Sequence, residues 1–152
     1  MAVAVGSKAP DFTLTNQDRE AVTLSALQGK PVVLAFFPAA FSSVCTKELC
    51  TFKDSMARLG QANAQVFGIS VDTFFTLKAF QDQQKLTFPL LSDFSKRKVA
   101  QDYGVLMPDL GIANRATFVV DKEGKIQYIE EGKTALDSSG AETACSRLHH
   151  KT

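Results

Sequence analysis

A continuous apolar run at residues 32–37 constrains the fold of this chain more than any other segment. All of its side chains are apolar, most favour extended structure, and Pro31 and Pro38 bound the run. A segment that is apolar on both faces is typical of a central strand covered by helices on both sides. The run is also far too short to span a bilayer. We therefore expect a buried strand at the centre of a sheet.

Other short apolar segments, separated by turn residues, predict further strands. They occupy residues 12–15, 21–24, 65–71, 89–91, 116–120 and 126–129. The first two flank a polar stretch and predict a hairpin. Helical periodicity predicts a helix that begins near Ser42 or Ser43 with an apolar stripe reaching Leu59, and helices at 76–86, 95–103 and 139–149. The alternation of strands and helices predicts an α/β domain with a mostly parallel core and antiparallel additions.

Length, charge and cysteine content exclude several classes of protein. The 152 residues suit one domain, 1–152, and 17 basic against 16 acidic side chains give no field that would attract nucleic acid or an anionic membrane. Residues 1–10 lack a cationic segment followed by a long apolar one, so we expect no signal peptide. Three cysteines are too few for a disulfide framework, which indicates a reducing compartment and a soluble cytoplasmic protein.

Cys45 lies where the central strand gives way to a helix. In the first helical turn, unpaired backbone N–H groups and the helix dipole favour an anion such as a thiolate, which is the reactive form of cysteine. However, Cys45 also falls on the apolar stripe with Leu49 and Phe52, a position typical of a cysteine in the core. Periodicity alone leaves both interpretations open.

The segment 38–45 reads Pro-x-x-x-Ser-x-x-Cys and resembles the Pro-x-x-x-Thr/Ser-x-x-Cys signature of the peroxiredoxins, thiol peroxidases with a thioredoxin-like fold. Residues 6–12, 68–72, 88–93 and 115–121 also resemble segments of that family, in the same order. The resemblance implies a thioredoxin-like fold with a central mixed β-sheet, flanking helices and an N-terminal β-hairpin. It also implies reduction of hydrogen peroxide and alkyl hydroperoxides.

The resemblance assigns roles to individual residues: Cys45 as the peroxidatic cysteine, Ser42 as the signature hydroxyl, Pro38 as the proline that shields the pocket, and Arg115 as the arginine that approaches the thiolate. Each of the last three also has a structural interpretation, as N-cap, strand terminator and surface cation respectively. Backbone N–H groups near Val44 and Cys45 are expected to add donors. Glu48 is expected either to brace Arg115 or a neighbouring loop, or, as is usual for a helix glutamate, to lie exposed.

Cys50 follows Cys45 by five residues, a spacing that resembles the bacterioferritin-comigratory (Q-type) peroxiredoxins, in which the second thiol resolves the first. Along an intact α-helix this spacing separates the Cα atoms by roughly 8–9 Å, whereas a disulfide tolerates at most about 7 Å. A Cys45–Cys50 bond therefore requires local unwinding. Alternatively, Cys50 is a spectator in a one-Cys peroxidase of the alkyl hydroperoxide reductase E type, which residues 36–41 and 72–80 resemble, and an external thiol reacts with Cys45.

The expected reductant is thioredoxin, glutaredoxin or a low-molecular-weight thiol, because no Gly-rich nucleotide loop and no spaced His, Cys and Asp set suggests a cofactor or metal. A thioredoxin-like disulfide reductase would need C-x-x-C, which is absent here. A peroxide-sensing switch that uses Cys45 remains an alternative. Cys145 is interpreted either as packing or as a resolving thiol on a mobile tail.

Apolar residues near Cys45 bear on which peroxides the protein accepts and on whether it forms a homodimer. Residues 37, 39, 40 and 41 are expected to form an apolar pocket rim that tolerates alkyl peroxides. Phe41 and the pair Phe74 and Phe75 suit either a homodimer interface or burial within the domain.

Overall fold

The computed structural model describes residues 3–150, apart from the side chains of residues 149 and 150. Within these residues, one mixed sheet has the strand order β2, β1, β5, β4, β3, β8, β9. Its strands are β1 (Thr13–Asn16), β2 (Ala21–Thr23), β3 (Val32–Phe36), β4 (Gln65–Ser70), β5 (Leu90–Ser92), β8 (Ala116–Val120) and β9 (Ile126–Glu131). A separate short hairpin pairs β6 (Leu106–Met107) with β7 (Ile112–Ala113).

Helices cover both faces of this sheet. They are α1 (Ser43–Asp54), α2 (Met56–Gln61), α3 (Phe74–Gln84), α4 (Lys98–Asp102) and α5 (Ser139–His150), with 3₁₀ turns at Leu24–Leu27 and Gly132–Leu136. Over the described part of the chain, no helix combines the length and apolarity that a membrane crossing needs.

The central strand β3 is buried along its whole length, as its sequence predicts. Val33 and Ala35 belong to the apolar cluster formed with α1, α3 and α5. Leu34 and Phe36 face the opposite cluster, which contains Tyr103. Burial of a strand on two faces explains why its residues do not alternate between apolar and polar.

The pairing of β3 with its neighbours brings distant segments to one end of the sheet. β4 runs parallel to β3, with Phe36 opposite Ile69, so both strands end at the same edge. β8 runs antiparallel to β3, with Phe36 opposite Ala116, so β8 begins at that edge. The residue before β8, Arg115, therefore lies beside the loop that leaves β3.

Several predicted boundaries are wrong for identifiable reasons. The helix that carries the Leu59 stripe is divided at Ser55, whose buried hydroxyl pairs with that of Ser138 at 2.7 Å. The predicted helix at 95–103 shrinks to α4, because Arg97 has the left-handed φ of 53° and the Asp93 carboxylate accepts the first helical N–H groups. The predicted N-terminal hairpin is confirmed by the antiparallel pairing of β1 with β2.

Candidate active site

Helix α1 begins immediately after a tight loop that leaves β3. Phe41 occupies the left-handed region with φ of 69°, which turns the chain. The Ser42 hydroxyl then caps the helix by accepting the Cys45 N–H at 3.2 Å. Cys45 consequently lies in the first turn with its residue surface 1% exposed. The two sequence interpretations of Cys45 are compatible, because its side chain belongs to the apolar core and also lies in the first turn of α1.

Arg115 reaches the sulfur from the segment before β8. Its Nη2 lies 3.0 Å from Cys45 Sγ, although the two residues are 70 positions apart in the chain. Partial burial opposes the guanidinium charge, but hydrogen bonds to Cys45 and Glu48 hold the pKa of Arg115 above its usual range. The alternative of a surface cation is wrong, because only 13% of the Arg115 side chain is exposed.

Glu48 lies one helical turn beyond Cys45 and braces the same guanidinium. Its Oε1 accepts from Arg115 Nε at 2.8 Å, and its side chain is fully buried. Its other oxygen, Oε2, has no hydrogen-bond partner among the described residues. Burial raises the pKa of Glu48 to about 8, although the charge and hydrogen bond of Arg115 act in the opposite direction. The alternative of an exposed helix glutamate is therefore wrong.

Asp72 fixes the loop between β3 and α1, a role that the sequence analysis missed. Its Oδ2 accepts the Ala40 N–H at 2.8 Å and the Ser70 hydroxyl at 2.7 Å. The next residue, Thr73, caps α3 by accepting the Thr76 N–H. The available signal was an acidic residue directly after the end of a buried strand, at the edge where β3 and β4 end together. Pro38 lies half-buried in the loop that Asp72 holds.

Cys50 lies in the same intact helix as Cys45, and both are free thiols. The Cys50 residue is half-buried, and its S–H donates to Gln84 Oε1 at the end of α3 over 3.6 Å. Lys53 Nζ also bonds the backbone oxygen of Gln84 at 3.1 Å. The second half of α1 is therefore attached to the C-terminal end of α3.

Cys145 is fully buried on α5, within the apolar cluster that also contains Cys45. Burial, together with the nearby Glu142 carboxylate, raises the pKa of Cys145 to about 12. These features agree with the packing interpretation rather than with a thiol on a mobile tail. Within residues 3–150, no group of three or more His, Cys, Asp or Glu side chains is placed to hold a metal ion.

The apolar surroundings of Cys45 differ in part from expectation. Phe37 is buried with its ring tilted against that of Phe80, so its assignment to the pocket rim is wrong. Phe41 and Phe75 are 47% and 63% exposed, so burial within the domain does not account for them. Val44, in the first turn of α1, is 46% exposed and was not predicted as part of this surface.

A mixed seven-stranded sheet with helices on both faces, and a helix that begins with a thiol directly after the central strand, is typical of a thioredoxin-like fold. The chain matches the AhpC/TSA family over residues 5–129 and belongs to that family. It is 45% identical over 128 residues to a chloroplastic peroxiredoxin Q from Oryza sativa subsp. japonica, covering 84% of this chain. This chain spans only 58% of the length of that relative.

Two further relatives agree in sequence or fold. Alkyl hydroperoxide reductase E from Mycobacterium tuberculosis is 44% identical over 128 residues, covering 83% of this chain and 84% of that protein. The crystal structure of peroxidoxin BcpB from the same organism superposes with a TM-score of 0.86 at 33% identity, covering 97% of both chains. The peroxiredoxin resemblance and the thioredoxin-like fold are therefore confirmed.

Proposed function

We propose that this chain is a thiol peroxidase that reduces hydrogen peroxide and organic hydroperoxides through Cys45. The contact of 3.0 Å between Arg115 Nη2 and Cys45 Sγ is the observation that supports it most directly. A permanently charged guanidinium beside a sulfur at a helix N-terminus favours the thiolate, which is the nucleophile. The names of the relatives, peroxiredoxin Q and alkyl hydroperoxide reductase E, support the same activity. We also propose that residues 1–152 form one peroxidase domain.

The chemistry is a displacement at oxygen. The Cys45 thiolate attacks one peroxide oxygen, the O–O bond breaks, and the other oxygen leaves as hydroxide or alkoxide, which takes up a proton. Negative charge moves from sulfur to the leaving oxygen, so a guanidinium placed beside both stabilises the transition state. The product on Cys45 is a sulfenic acid.

Ser42 and the helix start complete the binding site for peroxide. The Ser42 oxygen accepts the Cys45 N–H, and its own O–H and second lone pair are left to bond a peroxide. Because Cys45 N–H is used by this cap, backbone donation has to come from the neighbouring Val44 N–H. Pro38 lies in the loop that precedes the cap, and we assign it the role of shielding sulfur from water.

Cys50 is the proposed resolving thiol. Once the first turns of α1 unwind, Cys50 loses its proton and its thiolate attacks the Cys45 sulfenic sulfur; the S–OH bond breaks, the hydroxide takes up a proton and leaves as water, and a disulfide forms. Thioredoxin, glutaredoxin or a low-molecular-weight thiol then returns both cysteines to thiols. This requirement for reductant leads us to propose a cytoplasmic location, which fractionation of the source cells would test.

The exposed apolar side chains beside the site support use of alkyl hydroperoxides. Phe41 and Val44 lie at either side of the Ser42 cap, and each is nearly half exposed. An apolar surface beside the peroxide site stabilises an alkyl chain without excluding hydrogen peroxide. Similar rate constants for both, across a series of chain lengths, are the expected result.

The experiment that tests the function combines rapid kinetics with mass spectrometry. The wild type should consume peroxide with dithiothreitol or a thioredoxin system, and Cys45→Ser should lose this activity. After one equivalent of peroxide, the wild type should carry a Cys45–Cys50 disulfide, and Cys50→Ser should carry a sulfenic acid. A persistent sulfenic acid in the wild type would refute the resolving role and support the one-Cys alternative.

We also propose a homodimer through the region of Phe41 and the pair Phe74 and Phe75, of which Phe41 and Phe75 are exposed. Both are large exposed aromatic side chains, and Phe41 packs on Phe80 of α3, the helix that carries Phe75. Sedimentation of the wild type should show a dimer that Phe75→Ser weakens. Leu110→Ser, which changes another exposed apolar residue, is the matched control and should leave the dimer intact.

A further inference from the structure

One guanidinium serves two acidic groups in the interior of the protein. Arg115 donates through Nη2 to Cys45 Sγ and through Nε to Glu48 Oε1. Cys45 and Glu48 stand three residues apart on the same face of α1, and both are buried. The second carboxylate oxygen, Oε2, is buried without a hydrogen-bond partner among the described residues. A charged carboxylate in this position would leave that oxygen neither solvated nor bonded.

No second cation compensates at this position within the described residues. Lys133, on the 3₁₀ turn that packs against α1, is exposed, as is Lys47 on α1 itself. Arg58 on α2 pairs with Glu142, and Lys53 bonds the end of α3. If the Cys45 thiolate and the Glu48 carboxylate were both present, they would repel each other, and Arg115 would compensate only one of the two negative charges. The pKa of about 8 for Glu48 agrees with a neutral carboxyl at pH 7.

We propose that Cys45 and Glu48 share a single negative charge opposite Arg115, so that Glu48 is a protonated carboxyl while Cys45 is a thiolate and ionises when Cys45 is oxidised. This inference rests on the proposed peroxidase function and extends it to a positioning residue that does not touch peroxide. Glu48 then keeps Arg115 in place throughout the cycle, because the guanidinium always faces one anion.

The proton count of the first chemical step follows from this exchange. Attack of the thiolate on a hydroperoxide gives the sulfenic acid and an alkoxide, and the alkoxide takes one proton from solvent to become an alcohol. Loss of the sulfur charge leaves Glu48 facing Arg115 alone, and the carboxyl releases one proton. Uptake and release cancel, so the step leaves the pH of an unbuffered solution nearly unchanged.

A single-turnover measurement with a pH indicator tests this count. In a Cys50→Ser background, which halts the reaction at the sulfenic acid, one equivalent of peroxide should cause nearly zero net proton uptake near pH 7. Adding Glu48→Gln should raise the uptake to nearly one proton per sulfenic acid formed. Glu142→Gln is the matched control, because hydrogen bonds from Arg58 and two serines, acting against partial burial, hold the pKa of Glu142 below its usual range. It should leave the uptake near zero.

Infrared difference spectroscopy gives a second readout that needs no peroxide. The reduced wild type near pH 7 should show the carbonyl stretch of a protonated, buried carboxyl, and Glu48→Gln should lack it. Cys45→Ser replaces the thiolate by a neutral hydroxyl, so Glu48 should already be ionised there and the band should be missing. The same band in Cys45→Ser as in the wild type would overturn the shared charge. Failure of Cys50→Ser to form a sulfenic acid with peroxide would refute the peroxidase function instead, and the infrared comparison would still decide the charge of Glu48.

Discussion

Arg115 holds its two partners with two different nitrogen atoms, Nη2 on Cys45 and Nε on Glu48. A guanidinium has several donors in a fixed planar fork, whereas an ammonium is a single point charge on a flexible stem. A lysine at this position would keep the charge but would lose the two donors that are held at fixed positions toward Cys45 and Glu48. Substitution by lysine therefore separates the contribution of the guanidinium geometry from that of its positive charge.

We expect Arg115→Lys to lower the peroxidase kcat/KM by about 10²–10³-fold, the effect of removing one preorganised donor from a developing anion. Stopped-flow measurement of thiol loss with hydrogen peroxide would give the rate constant. Arg97→Lys is the matched control, because Arg97 also donates through Nε, but to the Gly111 carbonyl. Equal rates for wild type and Arg115→Lys would contradict a role for the fork in the reaction.

Asp72 acts on the reaction through the backbone of the loop that precedes Cys45. Removing its carboxylate leaves the Ala40 N–H without its acceptor, a cost of about 1–3 kcal/mol when such a group is buried. We expect Asp72→Ala to lower kcat/KM about tenfold, since 1.4 kcal/mol corresponds to that factor. Asp72→Asn should recover part of the loss, because an amide oxygen can accept the same N–H.

The control for Asp72 is Asp82→Ala, which removes an exposed carboxylate paired with Lys78 on α3. It should change neither the rate constant nor the discrimination between peroxides. If Asp72→Ala lowered the thermal midpoint of unfolding and Asp72→Asn recovered none of the lost rate, the effect would be a general loss of stability. That result would contradict the role of Asp72 in holding the loop.

The residues of the site differ in how far the sequence reveals them. The local motif around Cys45 predicts the thiol, the Ser42 cap and the loop, because these interactions span only a few positions. Glu48 and Asp72 meet their partners across 67 and 32 residues, respectively. Their burial depends on the register of β3 with β4 and β8, which no local pattern contains. Sequence reasoning therefore left Glu48 with more than one interpretation and did not place Asp72 in the site.

The elements of the fold show the same division between local and distant causes. The strands β3, β4 and β8 are predicted because each is apolar through its own length, whatever its neighbours are. The division of the first helix at Ser55 was missed, since the hydroxyl of Ser55 bonds a serine 83 residues away. The hairpin of β6 and β7 has only two residues in each strand, which is too few to show a periodic pattern in the sequence.

Helix α1 is attached to α3 at the position of the proposed resolving thiol. The Cys50 S–H reaches Gln84 Oε1, and this bond must break before Cys50 can approach Cys45. A neutral hydrogen bond contributes about 0.5–1.5 kcal/mol, which corresponds to about two- to tenfold in rate. We therefore expect Gln84→Ala to accelerate disulfide formation by a factor at the lower end of this range, because a thiol is a weak donor.

The measurement for Gln84→Ala is the first-order conversion of sulfenic acid to disulfide, followed by quenching with a thiol reagent and mass spectrometry. Gln83→Ala changes the adjacent, exposed glutamine on the same helix and is the matched control. The bond from Lys53 to the backbone oxygen of Gln84 persists in both variants. A slower conversion in Gln84→Ala than in Gln83→Ala would contradict the restraining role of Gln84.

At the scale of the whole molecule, α5 closes the apolar cluster over β8 and β9 and carries the fully buried Cys145. Burial raises the pKa of this thiol from 9.0 to about 12, with the Glu142 charge acting in the same direction. The thiol is therefore inert in the folded protein and becomes an ordinary thiol only when α5 leaves the sheet or the chain unfolds. Its titration reports on the integrity of the fold rather than on the peroxide site.

The raised pKa of Cys145 determines the direction in which the free energy of unfolding changes with pH. Because the folded pKa of Cys145 exceeds the unfolded one, the folded chain binds the proton more tightly, and the resulting stability is complete below pH 9. Stability is then lost as pH rises toward 12, with a slope of at most about 1.4 kcal/mol per pH unit. Urea unfolding of the wild type at several pH values above 8 should show this decline, and Cys145→Ala and Cys145→Ser should both show a shallower one.

The two variants should differ from each other by a pH-independent offset in the free energy of unfolding, because serine buries a hydroxyl where alanine leaves a small cavity. A decline as steep in both variants as in the wild type would mean that Cys145 does not titrate with unfolding, and that other groups account for the alkaline loss of stability.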